Sequence, residues 1–280
     1  MRQLTLNIIF LTAVLGTGQA SGQQIDINNQ IWSANVIRES GQAVIPLYDG
    51  WYPNEDGTKT ICYGYFNMNT EQSLDVPHGE NNYLETDYPG LDLSSVMLPS
   101  HFDPLPPRYR HVFCAFTITV PEDFGVNNRI TWHLGTNRFE LSVPGKVIPP
   151  YVMDEPRSGG RGDLAPLVRL TEGGKAVRGR TGIHSAGTVN TRVGQPVSLQ
   201  AWLDHPDSQV WVGWSHHSGP GEVIFDQKEY MASTGESTQV QASFSEPGQY
   251  VVRMQTIDNI AAFEFYCCHT NAYYHVNVSN

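Results

Sequence analysis

The sequence predicts an all-β protein built as two antiparallel β-sandwiches in tandem. Three observations carry this. Apolar and polar side chains alternate with period two along 244–258, FSEPGQYVVRMQTID, where Tyr250, Val252 and Met254 interleave with Val251, Arg253 and Gln255; that is the pattern of a half-buried strand. The composition favours turns and strands, with 26 Gly, 18 Pro and 13 Tyr in 280 residues and only 16% charged residues. Turn signals separate the alternating segments, among them Pro247-Gly248, Asp56-Gly57 and Gly135-Thr136-Asn137. The length suits two domains, and 40% apolar residues can supply a core to each.

In the second half, Val197, Leu199, Ala201 and Leu203 alternate with Ser198, Gln200 and Trp202, and Val210, Val212 and Trp214 alternate with Gln209, Trp211 and Gly213. Thr238, Val240, Ala242 and Phe244 predict a further strand, and Tyr274, Val276 and Val278 a last one. Tyr250, just after the Pro-Gly turn, resembles the tyrosine corner of immunoglobulin-like sandwiches, whose hydroxyl bonds backbone upstream while the ring fills the core. Val252 then stands where antibody domains carry Cys, and Trp214 where they carry the buried tryptophan. The run WSHHSGPGEVIF (214–225) followed by ASFSEPGQYVVRMQTID (242–258) is similar to polycystic-kidney-disease-type repeats of bacterial surface proteins, over residues 188–279. That resemblance implies an immunoglobulin-like sandwich, assigned to 166–280, and brings no catalytic residue with it.

Residues 1–20 read as a secretory signal peptide: Arg2, an apolar run from Ile8 to Leu15, then Gly18 and Ala20 as small residues for cleavage. The run is too short for a membrane span, so no membrane insertion is expected after cleavage, and the expected location is the periplasm or the cell exterior. The formal net charge of −11 argues against nucleic acid, which needs clustered Lys and Arg. An exported chain with four cysteines invites pairing. Cys62 and Cys114 both sit in strand-like segments and are expected to form one disulfide. Cys267 and Cys268 are adjacent, and three states stay open for them: a strained vicinal disulfide, pairing with another chain, or reduced thiols that bind a metal with His269.

After an extended arm, 21–42, a first sandwich is expected over 43–147. Val44, Ile45 and Leu47 open a strand, and Asp56-Gly57 predicts a hairpin with a type I′ turn in preference to a calcium loop, whose ligand spacing is missing. The runs GWYPNEDGTKTICYGYFNMN, LDVPHGENNYLE, PSHF and VFCAFTITVPEDFG resemble a family of uncharacterised secreted bacterial proteins over residues 46–134. The resemblance implies no activity, and Cys62, Cys114 and Met68 depart from its pattern. Residues 77–109 hold six Pro and no sustained alternation, and predict a crossover packed by Tyr83, Tyr88 and Phe102. The alternative is a binding loop around Asp87, Asp92, His101 and Asp103, with Arg108 and Arg110 at its end. Val112, Cys114, Phe116, Ile118 and Val120 form one apolar face of a strand, and Ile130–Leu134 and Phe139–Val143 a second hairpin.

Residues 148–165 read as a linker. It contains Arg161-Gly162-Asp163, a tripeptide too short to argue integrin binding, and opens the one basic stretch of the chain, Arg157 to Arg180, read as solvated linker. For nucleophilic catalysis, Ser215 beside His216 and His217 lacks the required elbow, and adjacent residues of a strand point to opposite faces unless a bulge intervenes. A zinc or copper site at Cys267, Cys268 and His269 is the metal alternative. Trp202 and Trp211 on polar strand faces are the binding alternative, for a glycan or protein partner. The sequence therefore predicts an exported, non-catalytic adhesion or recognition module without a required cofactor, with a carbohydrate-binding accessory module and a Cys/His metalloprotein as its two rivals.

Overall fold

The computed structural model describes residues 39–104, 111–153, 164–258 and 268–280; the leader, most of the N-terminal arm, the Arg-Gly-Asp tripeptide, Arg108, Arg110 and Cys267 lie outside them. All described residues belong to one compact unit, Ile37–Asn280. It is all β, with two separate buried cores.

The first sandwich pairs strands β1 (Val44–Pro53), β2 (Lys59–Asn67) and β6 (His111–Val120) in one sheet. Its other sheet is β4 (Asn82–Thr86), β7 (Ile130–Thr136) and β8 (Phe139–Gly145), and β3 (Leu74–Asp75) pairs with β5 (His101–Phe102). Between the sheets, Tyr63 stacks on Phe116 and both meet the fully buried Trp132 edge-on, which gathers the largest apolar areas of this half at one point. The β1–β2 hairpin forms, but its turn is not type I′: Gly57 N donates to Asn54 O, and only Gly57 has positive φ, +87°. Asp56 instead ties the loop by accepting from the Thr58 amide and hydroxyl.

The expected crossover 77–109 contains a strand after all. β4 escapes period-two reading because its buried residue is Asn82, whose amide donates to Val76 O and Pro99 O and accepts from Trp132 Nε1. Phe102 is buried as expected and Tyr88 packs on Phe124, whereas Tyr83 is 41% exposed. The segment read as linker is anchored at its described ends. Trp51 Nε1 donates to Ile148 O and Met153 N to Trp51 O, while His205 bonds Leu164 O.

The second sandwich has the sheets β13 (Val223–Phe225), β15 (Ser237–Phe244), β11 (Val197–Asp204), β9 (Leu167–Arg169), and β10 (Ile183–Arg192), β17 (His269–Ser279), β16 (Gly248–Ile257), β12 (Gln209–Ser218), β14 (Glu229–Ser233), each in that order. This is the immunoglobulin-like arrangement, A-B-E-D facing A′-G-F-C-C′. All its pairings are antiparallel except β10–β17. The tyrosine corner is present: Tyr250 is buried against Phe244 and its hydroxyl donates to Glu246 O at 2.7 Å. Trp214 and Val252 are buried in the same core.

Candidate functional site at the junction of the sandwiches

Three backbone irregularities meet at one point of the first sandwich. Strict alternation would leave Cys114 with Phe116 on the face opposite Cys62. The register between Tyr63↔Phe116 and Tyr65↔Val112 instead sets Phe113, Cys114 and Ala115 against the single residue Gly64. This bulge, with Cys114 at φ +42°, turns Cys114 outward, where it forms the disulfide with Cys62 beside Tyr52 and Met153. The reading of Cys114 as part of the Val112–Val120 apolar face is thus corrected. Asp49, the extra residue of a bulge in β1, reaches across to accept from the Cys114 amide at 2.6 Å and bonds His111 Nε2 at 2.9 Å. Gly64 leaves the room for it: a Cβ there would collide with the Val112 carbonyl oxygen and the Asp49 carboxylate.

The bulge aims three carbonyls at the outer face of β16 and β17. Arg253 Nη2 donates to Phe113 O and Cys114 O, both at 3.3 Å, and its Nε to Asn271 Oδ1. Asn271 Nδ2 donates to Cys114 O and to Arg180 O, and the Tyr273 hydroxyl to Ala115 O at 3.2 Å. Arg253, Asn271 and Tyr273 are all buried. Arg180 is fully buried as well, its guanidinium 5.3 Å from the Tyr52 ring centroid, so the end of the basic stretch is core and not solvated linker.

A second contact joins segment 97–103 to the end of β12. Ser100 N donates to His217 O, His217 Nε2 donates to Met97 O, and Gly219 N to Ser100 Oγ. A bulge between His216 and Ser218 lets both histidines face the junction, which regular alternation would forbid. The His216 ring stacks on His101 at 4.1 Å between centroids and also meets Tyr250. His101 is 4% exposed, with Nδ1 on Asp75 at 2.6 Å and Nε2 on Asp103 at 3.0 Å; Asp103 also binds Lys228 Nζ at 2.6 Å. Because both ring nitrogens face carboxylates, both carry protons and His101 is an imidazolium. Burial opposes that charge, but the bonds to Asp103 and Asp75 outweigh it and raise the His101 pKa. Asp103, against the same burial, is held well below the usual carboxylate range by His101 and Lys228. Burial, reinforced by the His101 charge, pushes His216 down to about 3; burial likewise puts His217 at about 3.

The other expected residues fall elsewhere. Ser215 Oγ donates to Arg253 O at 3.4 Å and to no histidine. Cys268 is disulfide-bonded, so its sulfur is no thiolate ligand in this state, and His269 is buried. Trp202 and Trp211 are half-buried on different sheets, and the Trp211 ring lies over Gly213. The exposed aromatic of note is Tyr83, stacked on His133 at 4.4 Å, with Glu85 on His133 Nε2. It borders a cavity of about 420 Å³ with Glu80, Asn81 and Glu140, which adjoins one of about 520 Å³ reaching Arg138.

No protein-family model matches the chain, and no curated protein matches it. Solved structures similar to it are the D0–D1 domain of Intimin (11% identity, 84% of this chain and 98% of that one, TM-score 0.27) and the D00–D0 domain of Intimin (11%, 85% and 100%, 0.28). A third is the Yersinia pseudotuberculosis adhesin InvE (12%, 84% and 58%, 0.25).

Proposed function

We propose that the chain is an exported, non-catalytic recognition module in which two sandwiches present one rigid surface, for adhesion or binding at the cell exterior. The observation that carries this reading is the junction. All but one of the titratable groups at its centre are held by fixed partners, His101 on two carboxylates, Asp103 on His101 and Lys228, and His217 on a backbone carbonyl, while the exception, His216, is closed in under the His101 ring. An active site would keep a base and a nucleophile turned toward a cavity; here they fix orientation instead. The Cys62–Cys114 disulfide suits an oxidising compartment outside the cytoplasm. Small-angle scattering of the purified full chain should give a single rigid envelope, and glycan and cell-surface arrays a saturable ligand without turnover. Hydrolysis of an ester, peptide or glycoside that Ser215→Ala abolishes would overturn the reading.

A carbohydrate partner is the second reading, moved from Trp202 and Trp211 to Tyr83. A ring held by its His133 stack loses little freedom on stacking against a sugar, and Glu80, Glu140 and Asn81 offer bonds to hydroxyls beside it. With carboxylates outnumbering Arg138, the groove favours neutral or amino sugars over uronic acids. Tyr83→Ala should weaken glycan binding about tenfold on an array or by calorimetry, roughly the 1.4 kcal/mol of an aromatic contact. The melting temperature should stay put, since the side chain is exposed.

A further inference from the structure

We propose that segment 97–103 is an acid-released latch: it clamps the first sandwich to the second while the His101 imidazolium lies on a neutral His216, and lets go when His216 and His217 take up protons.

The geometry allows one charge state of the stacked pair. His101 is committed to its two protons by Asp75 and Asp103, and the electron-rich face of a neutral ring at 4.1 Å receives that cation favourably. His216 has only a loose contact with the Ser218 backbone, too poorly placed for a well-formed hydrogen bond, and the ring is 4% exposed, so a proton added there would be a poorly compensated buried charge stacked on another. The groups facing His216 are His101 and Asp103 from the first sandwich, Tyr250 from β16, and its neighbour His217. Those facing His217 are Arg253 of β16, His184 of β10, Tyr273 of β17, and His78, with Met97 O on Nε2. Of these, Asp103 alone is anionic and favours a proton on His216, and it is already shared by His101 and Lys228. Arg253 opposes a second charge on His217 outright.

The direction follows from linkage. Freed of the junction, His216 and His217 would titrate near 6.5; held in it, near 3. Their contribution to closure is therefore complete above about 6.5 and is lost as pH falls toward 3, by up to tenfold per pH unit for each ring. His101 works in the opposite sense, with its contribution present below 6.5 and lost as pH rises through its raised value. Between pH 6 and 4 it is charged whether the latch is open or closed, and adds no slope. His184, lowered by burial and then by His275, acts in the same direction as His216.

Hydrogen exchange of the full chain between pH 7 and 4, corrected for the intrinsic pH dependence, reads the latch directly. The amides of Ser100 and Gly219, which bond His217 O and the Ser100 hydroxyl across the junction, should open up to a hundredfold more per pH unit below about 6, while β11 and β15 hold. His216→Phe keeps the ring stack but cannot titrate, and should lower that slope by up to tenfold per unit. An unchanged slope in this variant, or amides whose opening ignores pH, would overturn the proposal. Should the variant fold poorly, the NMR titration of the wild-type His216 ring decides: a midpoint below 5 supports the latch, and one near 6.5 sinks it.

Discussion

Replacing Cys62 and Cys114 together by Ala is expected to destabilise the protein by about 4 kcal/mol, the chain-entropy value for a cross-link between residues 52 apart. For a unit of this size that corresponds to a melting temperature lower by about 10 °C. The native-state side of the same change matters equally. The disulfide fixes a bulge that regular pairing with β2 would otherwise straighten, and that bulge aims the carbonyls of Phe113, Cys114 and Ala115 at the second sandwich. Removing it leaves Asp49 as the side chain that grips the Cys114 amide. Calorimetry of the wild type with and without reductant, set beside the double Ala variant, measures the effect. A loss under about 1 kcal/mol would mean that the bulge stands without its cross-link.

What the sequence showed and what it hid divide along physical lines. β11, β12, β15 and β16 were legible because each buries one face in a core and leaves the other polar, so alternation survives in the residue string. The tyrosine corner was legible for a local reason too: Tyr250 and its acceptor Glu246 are four residues apart. β10 was not, since along IHSAGTVNTR hardly a side chain is buried and no periodicity marks it. The bulge at 113–115 broke the alternation on which the reading of Cys114 relied. His101 and Asp103 stood out as polar residues of a long loop, but their role depends on His216 and Lys228, more than a hundred positions away. Arg253 was rightly placed on the polar face of its strand. The hidden fact was that a second sandwich covers that face.

Arg253→Met is the sharpest probe of that covered face. Methionine keeps the volume of the aliphatic stem but removes every donor, so Phe113 O loses its bond and Cys114 O keeps only that from Asn271. Losing bonds to buried acceptors costs about 1–3 kcal/mol each, and here three acceptors each lose a bond, because Asn271 Oδ1 also loses the one from Arg253 Nε. The expected loss is about 3 kcal/mol by denaturant unfolding. Arg253→Lys should fall between, since an ammonium is a point donor and cannot span the carbonyls and the amide as the guanidinium fork does. Tyr273→Phe, which deletes the bond to Ala115 O and the hydroxyl's contacts with Arg253 and Asn271 but strands no guanidinium, should cost less, about 1–2 kcal/mol. The informative comparison is Arg253→Met in the disulfide-free background. If the disulfide is what presents the carbonyls, the substitution should cost less there, by more than the roughly 0.5 kcal/mol within which independent sites add. Strict additivity would show that the bulge presents its carbonyls to Arg253 whether or not the disulfide is there.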